Sequence, residues 1–205
     1  MRNMLIIVLV FMNLSKLNAQ QSRIKLETSF GSENKEIQDI LRFQDIETIK
    51  LKFYGAGLKN KNYRLLVKEY TNGNLAKVDT IMDTSKSEYF SSINDTIFGF
   101  RYFVKTQIDN TIKMKFLFNH FSTERNYNIR KIEDKYALHD FLDANENMSI
   151  NEAKSNVILG YFLPYTDIET GWKKYCEVSA SEHKPEDWGS IFNIPNYYLI
   201  DIIFE

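Results

Sequence analysis

Apolar and polar residues alternate along most of the chain, and that alternation predicts a succession of strands. Ile24, Leu26, Thr28 and Phe30 share one parity until Gly31-Ser32 interrupts them, the period of a strand buried on one face. Ile49, Leu51 and Phe53 alternate with Lys50 and Lys52 before Gly55-Ala56-Gly57, an apolar-in, lysine-out strand with a glycine stop. Two strands over 63–70 and 75–82 flank Asn72-Gly73, a pair suited to the positive φ of a tight hairpin turn. A second hairpin follows, with Phe98, Phe100, Tyr102 and Val104 on one inner face and Ile112, Met114, Phe116 and Phe118 on the other. Such faces require a covering layer.

Other stretches read differently. Ile37, Ile40 and Leu41 are spaced for a short helix over 35–43, and Tyr136, Ala137, Phe141 and Leu142 for a helix over 133–142. A short strand is predicted over 127–132, another over 172–179, and an apolar stretch runs from Val157 to Leu163. Pro185-Glu186-Asp187 opens a short helix, because proline fits a first helical turn and acids favour the positive end of its dipole. Tyr198, Ile200, Ile202 and Phe204 make one face of a closing strand wholly apolar. Eight or nine strands with two or three short helices predict a mostly β fold, a β-sandwich or β-rich α+β single domain.

The first nineteen residues depart from this pattern. Arg2 is followed by the apolar run Met4 to Met12 and a polar stretch ending at Ala19, the layout of a cleavable export signal. The run is about half of the roughly 20 residues a spanning helix needs. The expected organisation is therefore a signal peptide over 1–19 and one β-rich domain over 20–205, exported to the periplasm, the cell surface or the medium. No cysteine stands near Ala19, so lipid attachment there is not expected.

Cleavage removes Arg2 and Lys16 and no acid, taking the formal charge from −1 to −3. With both signs interspersed along the sequence, neither nucleic acid nor a membrane is expected as principal partner. Cys176 is the single cysteine and cannot make an internal bridge. It is read as a small buried residue on a strand, with a nucleophile or an intermolecular disulfide as the sharper alternative.

Few residues carry a chemical signature, and no catalytic set is expected. Asp143, Asn145 and Asn147 occupy the first, third and fifth positions of a run through Asn151, where oxygen side chains can converge on a hard cation. The run resembles the calcium loop of the EF-hand family, with Ile150 at that family's aliphatic position, and the resemblance implies Asp143, Asn145 and Asn147 as calcium ligands. Met148 and Lys154 stand where the family keeps glycine and a bidentate glutamate. The favoured alternative makes Ser149 and Glu152 a helix-capping box, and no other cofactor is expected. His120, His139 and His183 show no zinc spacing, and serine and glycine elbows are absent.

Aromatic residues are 14% of the chain. Trp172, Tyr175 and Trp188 are the candidate ligand-binding residues, because rings left exposed can stack on a sugar or fill a partner's pocket; core filling is the competing account. Trp188 is singled out because its loop, His183 to Ser190, is polar.

Asp79-Thr80-Ile81 and Asp95-Thr96-Ile97 resemble acceptor sites for threonine-linked sugars in exported Bacteroidetes proteins. With Ala19-Gln20-Gln21 and the ending Trp188 to Phe204, the chain resembles the uncharacterised exported β-rich proteins of that phylum. The resemblance implies export and a β-rich fold and no activity. The leading expectation is an exported module binding a protein or glycan, with an envelope hydrolase assembled only in the fold, or an inhibitor or immunity-type protein, as alternatives.

Overall fold

The computed structural model describes residues 23–87, 89–129, 134–142 and 148–205; the segment 1–19 expected to be a signal peptide and the candidate calcium ligands Asp143, Asn145 and Asn147 lie outside them. The alternating segments form β1 (Ile24–Phe30), β2 (Glu47–Tyr54), β3 (Tyr63–Thr71), β4 (Asn74–Asp83), β5 (Ile97–Thr106), β6 (Thr111–Leu117) and β7 (Ser122–Asn128). β8 (Ala137–Asp140), β9 (Met148–Ile150), β10 (Asn156–Phe162), β11 (Tyr165–Thr166), β12 (Lys173–Lys174) and β13 (Asn196–Phe204) complete the strands. Helices α1 (Lys35–Phe43), α2 (Cys176–Ser179) and α3 (Trp188–Ile191) are short. None among the described residues is long and apolar enough to cross a membrane.

Two large antiparallel sheets hold the core. One has the order β7-β6-β5-β2-β1-β9 and the other β4-β3-β13-β10-β8, the mostly β, sandwich-like architecture that the alternation predicts. Their inner faces meet through large rings: Phe53 lies 5.3 Å from Phe204, Tyr63 lies 4.5 Å from Phe98, and Tyr127 lies 5.2 Å from Tyr198. Each such buried side chain contributes about 1.5–3 kcal/mol of transfer free energy, so the rings dominate the cohesion of the two layers. β13 is buried on both faces. Tyr198, Ile200, Ile202 and Phe204 face the other sheet, while residues between β10 and β13 cover Tyr197.

That cover is built around Trp188, whose ring lies 4.9 Å from Phe162 and 6.2 Å from Tyr197. A Cβ on Gly160 would come within 3.3 Å of both the Phe162 and Trp188 rings, so glycine leaves room for the indole. Asn72 and Gly73 turn at φ 49° and 77°, as the hairpin signal requires. The same turn then docks on α3, where a Cβ on Gly189 would stand 2.5 Å from the Gly73 Cα.

Several local expectations yield to tertiary pairing. Residues 137–140 form strand β8 and not a helix, because Leu138 and His139 enter the ladder of β10 opposite Tyr161 and Gly160. Ser149 caps no helix, since Met148–Ile150 pairs with β1. Of the strand expected over 127–132, residues 127 and 128 end β7, where Ser122–Asn128 completes the ladder of β6, and residues 130–132 lie outside the described residues. The strand expected over 172–179 shrinks to Lys173–Lys174, and Cys176 begins α2 with its side chain exposed, not buried on a strand. α1 forms where its spacing predicts, with Asn34 accepting the Ile37 amide at 3.1 Å. Of its apolar residues only Leu41 is buried; Ile37 and Ile40 stay exposed and Phe43 is 84% exposed.

Candidate functional site

The β1–β2 connection does not close down on the sandwich. It leaves an open cleft of about 550 Å³ between α1 and the segment that leads into β8, within the size range of small-ligand sites. Phe30, Leu41, Tyr136 and Tyr161 supply apolar wall, and Gln38, Arg42, Asp45, Glu47, Thr48 and Thr106 supply polar groups. The walls come from the C-terminal ends of β1 and β5, the start of β2 and the far half of β10. In antiparallel pairs those ends fall at one edge of the sandwich.

Glu47 is the chemically distinctive member. It shares the inward parity of Ile49 and Leu51, so its carboxylate enters the gap between the sheets, where Oε2 accepts the Leu138 amide at 2.9 Å. Burial pushes its pKa above the usual carboxylate value, against a smaller lowering by that hydrogen bond. Desolvation disfavours the charged form. Tyr136 and Tyr161 stack beside it with centroids 5.1 Å apart; the Tyr136 hydroxyl donates to Asn196 Oδ1 at 2.8 Å, and Tyr161 Oη lies 3.3 Å from Thr106 Oγ1. Burial raises the pKa of both phenols, so they act as neutral hydrogen-bonding groups. Behind them Tyr102 Oη is buried without a hydrogen-bond partner among the described residues.

The rim is charged and tied to the β11–β12 hairpin. Lys135 pairs with Asp45 at 3.0 Å, Lys173 bonds Asp134, and the Tyr175 hydroxyl donates to the Lys135 carbonyl at 2.5 Å. Asp167 holds the hairpin tip by accepting the Glu169 and Thr170 amides, each at 3.0 Å, and Lys174 Nζ at 2.8 Å. Those partners, Lys174 first, keep its carboxyl well below the usual range. The tied tip leaves Ile168 and Trp172 in solvent, Trp172 at 73% exposure.

The candidate aromatics therefore separate. Trp172 is exposed, Tyr175 is half-buried against the cleft rim, and Trp188, read from sequence as a ligand-facing ring, is 1% exposed and unavailable to one. Its polar neighbours in sequence carry the indole inward because Phe141, Phe162 and Tyr197 provide an apolar bed. His120 and His183 are exposed, and His139 packs 5.1 Å from Phe162, its pKa lowered by burial. No histidine lines the cleft. Thr80 and Thr96 are both exposed. Among the described residues no group of three or more His, Cys, Asp or Glu is placed to hold a metal ion; the Asp143, Asn145 and Asn147 set lies outside them.

Sequence reasoning missed Glu47, the cleft and the tyrosine pair. The available signal was an acid at inward parity, Glu47 two residues before Ile49, on a strand whose other inward residues are apolar. The class that fold and cleft define is an antiparallel two-sheet protein with an open, tyrosine-walled pocket at one end of the sandwich. No family model, curated protein or solved structure matches the chain.

Proposed function

We propose that the protein is an exported binding module that captures a segment of a partner protein in the cleft. One observation carries this reading: a roomy, partly apolar cleft encloses a desolvated acceptor, Glu47, and so suits a chain presenting N–H or amine donors. Supporting it, Ile37, Ile40 and Phe43 lie exposed on α1, the helix that walls the cleft, and exposed apolar groups beside a pocket are a common mark of protein contact. The N-terminal apolar segment supports export. The test is a ¹⁵N NMR titration with extended hexapeptides containing leucine and lysine, and with neutral oligosaccharides as the contrasting set. Peptide-induced shifts at Gln38, Glu47, Thr48 and Tyr136 are expected. Shifts induced only by the oligosaccharides move the reading to a glycan, and unperturbed cleft amides with both sets overturn it.

A second reading, an envelope hydrolase, is favoured by the raised pKa of Glu47 in a cleft, since such a carboxyl is suited to proton donation. It requires that Glu47→Gln abolish turnover of a peptide or glycoside substrate while peptide affinity in the titration is retained.

A further inference from the structure

The outward face of the six-stranded sheet concentrates positive charge that the whole-chain balance conceals. Lys25, Lys50, Lys52, Arg101, Lys105, Lys113 and Lys115 all alternate with buried core residues of β1, β2, β5 and β6 and so project from the same face. Against these seven cations the same four strands and β7 present two carboxylates, Glu27 and Glu124, lying 4.0 Å from Lys52 and 2.9 Å from Lys113. Lys25, Lys50, Arg101 and Lys105 form no ion pair with an acid among the described residues, while Lys115 faces Glu124 across the β6–β7 ladder.

The register arranges part of this charge in a line. Lys25 lies opposite Tyr54, Lys52 opposite Gly99, and Arg101 opposite Leu117. Lys25, Lys52, Arg101 and Lys115 thus step across β1, β2, β5 and β6, advancing one strand and one outward position each time. Diagonal neighbours of this kind are roughly 7–8 Å apart, so the four cations form an oblique row roughly 22 Å long. Lys50, Lys105 and Lys113 flank it. Two like-charge pairs also face each other directly, Lys50 with Arg101 and Lys105 with Lys113, an arrangement that destabilises a ladder. Folding alone does not favour such a face. A ligand that neutralises it does.

We propose that this face binds a linear acidic polysaccharide, its carboxylates or sulfates lying along the row from Lys25 to Lys115. A row of regularly spaced cations matches a chain of regularly spaced anions. A nucleic-acid strand is the weaker match because the aromatics beside the row, Tyr54 and Phe103, are half-buried, whereas single-strand binders rely on open rings for base stacking. The proposal is independent of the cleft, whose residues lie at the sandwich edge.

The probe is a fluorescent oligogalacturonate of twelve residues, titrated at low and moderate salt, with single-stranded dT20 as competitor. Saturable binding that weakens with salt is expected, and K52E/R101E/K115E should weaken it by about tenfold or more, since this attraction is electrostatic and scales with the contacts made. A control triple, K59E/K154E/K184E, changes net charge equally at exposed positions off this face and should leave affinity within about twofold. If the first triple loses its β-sheet dichroism, the single variants K52E, R101E and K115E replace it, each expected to weaken binding by about threefold. Equal losses in both triples, no oligogalacturonate binding, or tighter binding of dT20 would overturn the proposal.

Discussion

Glu47 Oε2 in the six-stranded sheet accepts the backbone amide of Leu138 in the five-stranded sheet at 2.9 Å, so one cleft carboxylate also ties the two layers together. That double placement makes its protonation a stability variable. Because burial raises the folded-state pKa above the unfolded value, the folded protein holds the proton more tightly. The Glu47 contribution is therefore fully present below the usual carboxylate pKa and is lost as pH rises through the raised folded value. Glu47→Gln keeps an acceptor for Leu138 without the charge. It is expected to melt above the wild type at pH 8 and to flatten the pH dependence in that window, measured by thermal denaturation at several pH values. A variant that melts lower at pH 8 and equally at pH 4 would show that the carboxylate is stabilising when charged.

The two tryptophans should behave as opposites. Trp188→Ala removes a buried ring between Phe162 and Tyr197 and is expected to cost about 3–5 kcal/mol in urea unfolding. Trp172→Ala, at an exposed tip, should stay within about 0.5 kcal/mol. Acrylamide should quench the emission of Trp188→Phe, which retains Trp172, far more than that of Trp172→Phe. Similar quenching of the two would contradict the assigned burial.

Asp201 is fully buried on the outer face of β13, accepting Lys68 Nζ at 2.6 Å and Ser155 Oγ at 2.5 Å, while Oδ1 lacks a partner among the described residues. Lys68→Met strands the carboxylate and should destabilise by about 3 kcal/mol. The double variant K68M/D201L should recover much of that loss. A double-mutant cycle by chemical denaturation measures this coupling, and additive losses would show that the pair does not act as a unit.

Gly73 and Gly189 meet so closely that neither accepts a side chain. Gly189→Ala places a methyl 2.5 Å from the Gly73 Cα, and the backbone must shift, at a cost of about 1–3 kcal/mol. Gly73→Ala adds the strain of a positive φ of 77° to a contact of 3.2 Å with the Ser190 amide nitrogen. Both variants should lower the urea midpoint, and an unchanged midpoint for Gly189→Ala would show that the β3–β4 turn does not rest on α3.

The strands of the core hairpins were readable because their period is local. Ile24 to Phe30, Ile49 to Phe53, and the hairpins around Asn72-Gly73 and Asp109-Asn110 each declare a buried face within a few residues. Segments whose fate depends on a distant partner were not. Ala137–Asp140 has helical spacing and becomes a strand because β10 offers it a ladder, and Trp188 sits among polar neighbours yet turns inward onto rings from β10 and β13.

From the chain alone came the alternation, the glycine and asparagine turns, and hence a mostly β fold, a sandwich or a β-rich α+β domain, since each of these is a property of neighbours. The tertiary structure decided which outward lysines join in one row, which acid enters the gap between the sheets, and which indole reaches solvent. Those outcomes depend on strand order and register, which bring residues far apart in sequence within a few ångströms, and no local period encodes that proximity.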